Sequence, residues 1–290
     1  MNNTYIDACF KRPTSHTPIW IMRQAGRYLP EYRRVREETD FLTLCRTPDL
    51  AVEVTLQPIR RFGFDAAILF SDIMIPVGAM GVDVQFAPGP VIEAPIRGEE
   101  AIRALRRPDQ ESDLGFVMET VRRLRRDLPP SVALIGFSGA PFTLAAYMVE
   151  GGSSKDFAHL KSMMFQAPVA FHALMEKLVL VITDYLLAQV AAGAQAVQLF
   201  DTWAGLLSPH DYGEYVLPHV QSIVSRVKAV TSVPFISIEI RVAAWTCVQS
   251  SPPRASVSIG RPVFPRVRTA PRRAAARTWC GAFGSARNGS

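Results

Sequence analysis

Cysteine is scarce in this sequence: four residues in 290, and Cys9, Cys45, Cys247 and Cys280 form no CxxC pair. A disulfide framework or a structural zinc site would need closer, regular spacing, so a reducing cytoplasm is the expected compartment. His16, His159, His172, His210 and His219 include no i,i+4 pair, and no metal is expected. Residues 1–15 are polar and lack the apolar stretch of a secretory leader. Residues 128–149 carry no charge, but Pro129, Pro130, Gly136, Gly139 and Pro141 interrupt them. That segment reads as a buried strand, a turn and a helix start, and no membrane partner is expected. No glycine-rich nucleotide fingerprint follows the first strand, and no internal repeat is visible.

The chain is 48% apolar and 20% charged, which excludes wholesale disorder. Its net charge of +6 would ordinarily suggest nucleic acid or a membrane surface. The distribution argues against that. Residues 241–290 hold nine Arg and no Lys, Asp or Glu, so the body to Ile240 has 23 basic and 26 acidic residues. The last fifty residues are rich in Arg, Ala, Pro and Ser and show no period of 2 or 3.6. They read as a tail, either disordered or translated out of frame, and the body as one domain over residues 1–240.

Within the body, the strand candidates are short continuous apolar runs: residues 66–70, 132–137, 196–200 and 233–238, with a lesser one at 82–86. Such runs suit strands covered on both faces. Helical stripes lie between them. Asp113 is expected to cap one through Leu114, Val117, Val121 and Leu124, ending in a solvated Arg122–Arg126 region. Pro168 opens a long helix that Gly193 stops, and Pro218 is expected to kink a helix over roughly Asp211–Lys228 or to divide it in two. Alternating strands and helices without a nucleotide fingerprint favour a β/α barrel over a doubly wound sheet.

In such a barrel, chemistry sits at the C-terminal ends of strands. Three ends here are polar: Phe70-Ser71-Asp72, Phe137-Ser138-Gly139 and Phe200-Asp201-Thr202-Trp203. A carboxylate there either caps the next helix or faces a ligand, and the spacing leaves both open. Upstream, Arg23-Gln24-Ala25-Gly26-Arg27-Tyr28-Leu29-Pro30-Glu31-Tyr32 sets guanidinium groups among aromatic and apolar residues. That suits a ligand with several carboxylates, although a basic loop tied to surface acids would look similar.

This run resembles the N-terminal signature of the uroporphyrinogen decarboxylase family. Gly136-Phe137-Ser138-Gly139-Ala140-Pro141-Phe142-Thr143-Leu144, followed by Tyr147-Met148-Val149-Glu150-Gly151-Gly152, is similar to its second signature. Phe70-Ser71-Asp72-Ile73 and Gln198-Leu199-Phe200-Asp201-Thr202-Trp203 fall in the matching order. The resemblance runs over about residues 4 to 235. It implies a single TIM-type barrel, a homodimer, and no cofactor or metal. The implied reaction removes four acetate carboxyl groups from the tetrapyrrole uroporphyrinogen III as carbon dioxide, giving coproporphyrinogen III in porphyrin and haem biosynthesis. It also implies Asp72 as the carboxylate that contacts pyrrole N–H groups, and Arg23 and Arg27 as cleft arginines. Gln24, Tyr147 and Thr202 are implied to bind substrate, and Arg23 to be a proton donor. An arginine is a poor acid at neutral pH, so binding is the firmer of its two roles.

The resemblance fades after Val233-Pro234, and a late Asn-Leu-Gly-His-Gly segment of the family has no counterpart. The barrel is therefore expected to be incomplete, with its closing strands replaced by residues 241–290, and the chain as written to be inactive. Two other functions fit parts of the sequence. A cobamide-dependent methyltransferase of similar fold would need a zinc-binding His-x-Cys, which residues 1–240 lack. A non-catalytic nucleic-acid binder would act through the basic tail.

Overall fold

The computed structural model describes residues 3–87, 89–239 and 256–258. The expectations for the tail lie outside the described residues, apart from one short strand.

The strands are β1 (Ala66–Ile68), β2 (Gln85–Phe86), β3 (Pro90–Val91), β4 (Ala133–Gly139), β5 (Ala196–Asp201), β6 (Phe235–Glu239) and β7 (Ser256–Ser258). All but β2 and β3 form one parallel sheet in the order β1-β4-β5-β6-β7. Each new strand is added beside the last and the order never reverses. That progression builds a TIM-type barrel wall, whereas a doubly wound sheet reverses direction once. The 82–86 candidate contributes only Gln85–Phe86, paired with β3 in an antiparallel hairpin outside the main sheet.

Residues alternate between two cores. Ala66, Ala133, Ile135, Ala196 and Ile236 share the inner face with Tyr5 and Cys9 of α1 (Thr4–Cys9). Three alanines at this level leave space, and α1 fills it. The opposite faces pack on helices. Ala67 and Leu134 meet α4 (Pro48–Phe62) and α7 (Gly115–Asp127), whereas Val197, Leu199 and Phe235 meet α10 (Pro168–Ala192) and α12 (Leu217–Val230). The other helices are α2 (Pro30–Glu38), α3 (Phe41–Arg46), α5 (Ile75–Ala79), α6 (Glu99–Ala104), α8 (Pro141–Glu150), α9 (Ala158–Gln166) and α11 (Pro209–Asp211). Among the described residues no single helix is long and apolar enough to cross a membrane.

Two local expectations need correction, and a third is decided between its alternatives. Asp113 does not cap α7, whose N-cap is Leu114. Its carboxylate binds the Arg106 guanidinium at 2.6 and 3.0 Å and accepts the Asp109 N–H, a charged two-point contact that outcompetes a cap. Pro218 does not kink a continuous α-helix but divides it, the second of the two expected outcomes. It has no N–H to donate to Glu214, and the preceding residues Tyr212–Val216 widen into a π-helical turn before α12 begins. Nor is Arg125 a solvated helix end. It is half-buried, and its guanidinium binds the carbonyls of Leu128, Pro129 and Val132 and the side chain of Gln195, bracing the approach to β4. Arg122, Arg123 and Arg126 do pair with surface acids, as a solvated face would.

The sheet is fastened to α10 by one side chain. Gln189 is fully buried, accepts the Phe137 N–H at 2.8 Å and donates to the Phe137 carbonyl at 2.9 Å. A Cβ on Gly136 would stand 2.6 Å from Gln189 Oε1, so only glycine fits beside this clip. Gln189→Leu strands two buried backbone groups, at about 1–3 kcal/mol each. A loss of about 2–5 kcal/mol in unfolding free energy is expected from urea denaturation, and a change below about 0.5 kcal/mol would contradict this role.

Candidate active site

Strand β1 stops because its next backbone groups find other partners. Leu69 N–H still reaches Ile135, but Phe70 N–H turns to Thr55 Oγ1 on α4 at 3.0 Å. The released chain carries Ser71 and Asp72 over the sheet's C-terminal edge. Asp72 Oδ1 accepts the Met74 N–H at 2.8 Å, and its carbonyl accepts that of Ile75 at 3.2 Å. The capping reading and the ligand-facing reading of Asp72 are thus compatible. One oxygen fixes the turn into α5, and Oδ2 makes no hydrogen bond to the described residues.

Asp72 is half-buried, and its surroundings are poor in charge. Burial pushes its carboxyl up to about 6, while the Met74 amide and the Arg23 guanidinium pull the other way. Tyr185 of α10 and Cys45 of α3 are both buried near it, and burial raises both their pKa values, so each stays neutral. Desolvation outweighs the nearby cation, which leaves Asp72 titrating near neutrality.

Arg23, Tyr147 and Trp203 complete the group. Arg23 is exposed, sits in the left-handed region at φ 60°, and forms no close ion pair among the described residues. Tyr147 is half-buried on α8, and its ring meets Trp203 edge-on at 5.9 Å. Burial raises the Tyr147 phenol and Asp72 adds to the rise, whereas the Trp203 indole and Arg23 oppose it. One acid, one guanidinium and one phenol therefore feel each other's charge. Phe157 backs Trp203 at 4.8 Å between ring centres.

The remaining candidates are placed differently. Thr202 follows β5, half-exposed, between buried Asp201 and Trp203. Arg27 is exposed, and its charge acts on Tyr32 of α2. Gln24 is turned into the protein and is only 1% exposed. Its Nε2 donates to the Ala66 carbonyl at 3.1 Å and its Oε1 accepts the Ile21 N–H at 3.3 Å. Its own carbonyl takes the Tyr28 hydroxyl. Gln24 thereby ties the arginine loop to the start of β1. Its carboxamide is spent on the protein and does not face the cleft.

Tyr185, Cys45 and Trp203 escaped the sequence reading. Tyr185 was hidden in a helical stripe that looked like core, and Trp203 stood beside a chosen residue without a charge to mark it. The histidines, read as scattered, include one pair. His172 on α10 and His219 on α12 lie 2.9 Å apart, Nδ1 to Nε2. Among the described residues no three His, Cys, Asp or Glu side chains converge as metal ligands.

Comparison with known proteins gives a consistent picture. The family model "Uroporphyrinogen decarboxylase (URO-D)" matches residues 1–251. A uroporphyrinogen decarboxylase of Trichlorobacter lovleyi is 55% identical over 225 residues, covering 78% of this chain and 66% of that protein. One of Pelobacter propionicus is 54% identical over 232 residues, covering 80% and 68%. The chain thus spans about two thirds of the length of these relatives. Among solved structures, a methyltransferase from Methanosarcina mazei superposes with a TM-score of 0.65 at 17% identity, covering 82% of this chain and 68% of that one. That likeness concerns the fold alone.

The raised Asp72 carboxyl has a consequence for stability. Unfolded, the group loses its proton near pH 3.8; folded, it keeps the proton to about 6. As pH rises through that window the unfolded state gains, and above it ionised Asp72 costs the fold on the order of 3 kcal/mol. Asp72→Asn retains an acceptor for the Met74 amide. It is expected to raise the thermal unfolding midpoint at about pH 7.5 and leave it unchanged at about pH 4. Equal shifts at both would contradict the burial of this charge.

Proposed function

The chain belongs to the uroporphyrinogen decarboxylase family, and we propose that its body decarboxylates the acetate arms of uroporphyrinogen at the Asp72 site. The observation that carries this reading is a poorly solvated carboxylate beside an uncommitted arginine, at the C-terminal end of a barrel strand.

A pyrrole acetate loses carbon dioxide slowly because the electron pair of the broken bond needs a sink. Protonation of the adjacent ring carbon creates one, as a cation. Breaking the C–CO2 bond returns the pair to the ring and leaves an exocyclic methylene; a proton taken up there and loss of the proton from the ring carbon give a methyl group on a restored pyrrole. Each arm thus releases one carbon dioxide and consumes one proton. Ionised Asp72 accepts hydrogen bonds from the pyrrole N–H groups and stabilises the ring cation. Its desolvated setting strengthens that interaction. With a pKa about 6 it is mostly ionised at neutral pH. Arg23 and Arg27 supply planar donors for the substrate carboxylates. Tyr147 on α8 and Thr202 after β5 offer hydroxyls. An arginine side chain is a poor acid at neutral pH, so the role of Arg23 is to bind and orient.

The same reading makes residues 1–240 the catalytic body and residues 241–290 a tail without a part in the chemistry. It places the protein in the cytoplasm, as a homodimer, with a tetrapyrrole as its small-molecule partner.

The test is anaerobic incubation of the full chain with uroporphyrinogen III, followed by oxidation and separation of porphyrins by carboxylate number. Because every candidate group lies within the described residues, turnover in place of inactivity is expected of the chain, with products of seven to four carboxylates at a rate that rises with pH and levels off above about 6. Asp72→Asn is expected to lose about 100-fold or more in kcat. Unchanged turnover by Asp72→Asn would overturn the assignment, as would failure of the wild-type chain to form any product.

A further inference from the structure

Thr143 lies fully buried in the first turn of α8, and its hydroxyl is used in both directions. Oγ1 donates to Asp201 Oδ1 at 2.8 Å and accepts the Trp203 N–H at 3.1 Å. These two partners flank Thr202. Four residues further along the same helix stands Tyr147, the ring that Trp203 meets edge-on. The backbone closes the same seam, with Ala140 N–H donating to the Phe200 carbonyl at 2.8 Å. One side chain therefore links the α8 segment, which carries Tyr147, to the β5 segment, which carries Thr202 and Trp203.

We propose that Thr143 is a positioning residue of the active site. It fixes Thr202 and Trp203 against Tyr147 before a macrocycle arrives. This deepens the functional reading above and rests on it. The chemistry at the position is specific. Valine would fill the same volume, but it neither donates nor accepts, so the Trp203 N–H would lose its partner and the buried Asp201 carboxylate one of its donors. Serine keeps both bonds and loses only a methyl group. Thr143 touches no reacting atom, and its effect passes entirely through the residues it holds.

The experiment compares Thr143→Val and Thr143→Ser in the full chain, each with and without Trp203→Phe, so that Trp203 emission is obtained by difference. Uroporphyrin, the stable oxidised macrocycle, is the binding probe, and turnover is measured alongside. Thr143→Val is expected to shift Trp203 emission to the red and to lower kcat by roughly 10- to 100-fold, with KM changed far less. Thr143→Ser is expected to keep the wild-type emission and most of the rate. If Thr143→Val does not fold, Thr143→Ala against Thr143→Ser gives the same contrast. Unchanged Trp203 emission in the hydroxyl-free variant, or equal damage in the serine variant, overturns the proposal. If the wild-type chain neither binds uroporphyrin nor turns over, the functional reading fails, and the emission contrast still decides what Thr143 holds.

Discussion

A half-buried carboxylate at the end of the first barrel strand, its pKa raised by desolvation, is the constraint around which this structure is arranged. Asp72 is placed by two features that have no chemistry of their own. Thr55 draws the Phe70 amide away from the sheet, and the Met74 amide then fixes one carboxylate oxygen. Neutral Tyr185 and Cys45 lie near it, and Arg23, the cation that acts on it among the described residues, is on an exposed loop anchored by Gln24. Each arrangement costs folding free energy or backbone ease. The left-handed backbone at Arg23 and the desolvated acid are both local strains that a purely structural segment would not need. Their coincidence at one strand end separates a site from a capped turn.

The parts of this design legible in the sequence were those encoded locally. Apolar runs bounded by polar triplets gave the sheet strands and their polar ends. Pro168 and Gly193 bounded the long helix, because a missing N–H at its start and a positive φ at its end are single-residue properties. The N-terminal arginine run stood out through composition. What stayed hidden depended on partners distant in the chain. Gln24 looked like a ligand-binding group because nothing local shows that its amide is spent on Ala66, 42 residues on. Arg125 looked solvated, although it braces carbonyls ahead of β4. Tyr185 followed the helical stripe faithfully, and the stripe says nothing about which buried face lies beneath an acid.

The sheet also explains how kinship and partial length coexist. The chain spans about two thirds of its relatives, and the family match ends at residue 251, beyond the four consecutive strands that carry Asp72, Thr143, Thr202 and their supports. The inner alanine layer, the α1 plug and the Gln189 clip all lie within that part. The loops over β1, β4 and β5, with the arginine loop that Gln24 anchors to β1, bring the candidate groups together within the described residues. A methyltransferase shares this framework at 17% identity, so the framework alone does not dictate the reaction. The side chains over the strand ends do.

The most direct test is to titrate the central carboxyl itself. Carbon-13 labelling of aspartate side chains, with Asp72→Asn to identify the missing resonance, would follow its protonation by NMR. A midpoint near 6 is expected from its burial. A midpoint near 4, the range of a solvated aspartate, would mean that Asp72 is not desolvated, and the account built on it would fail.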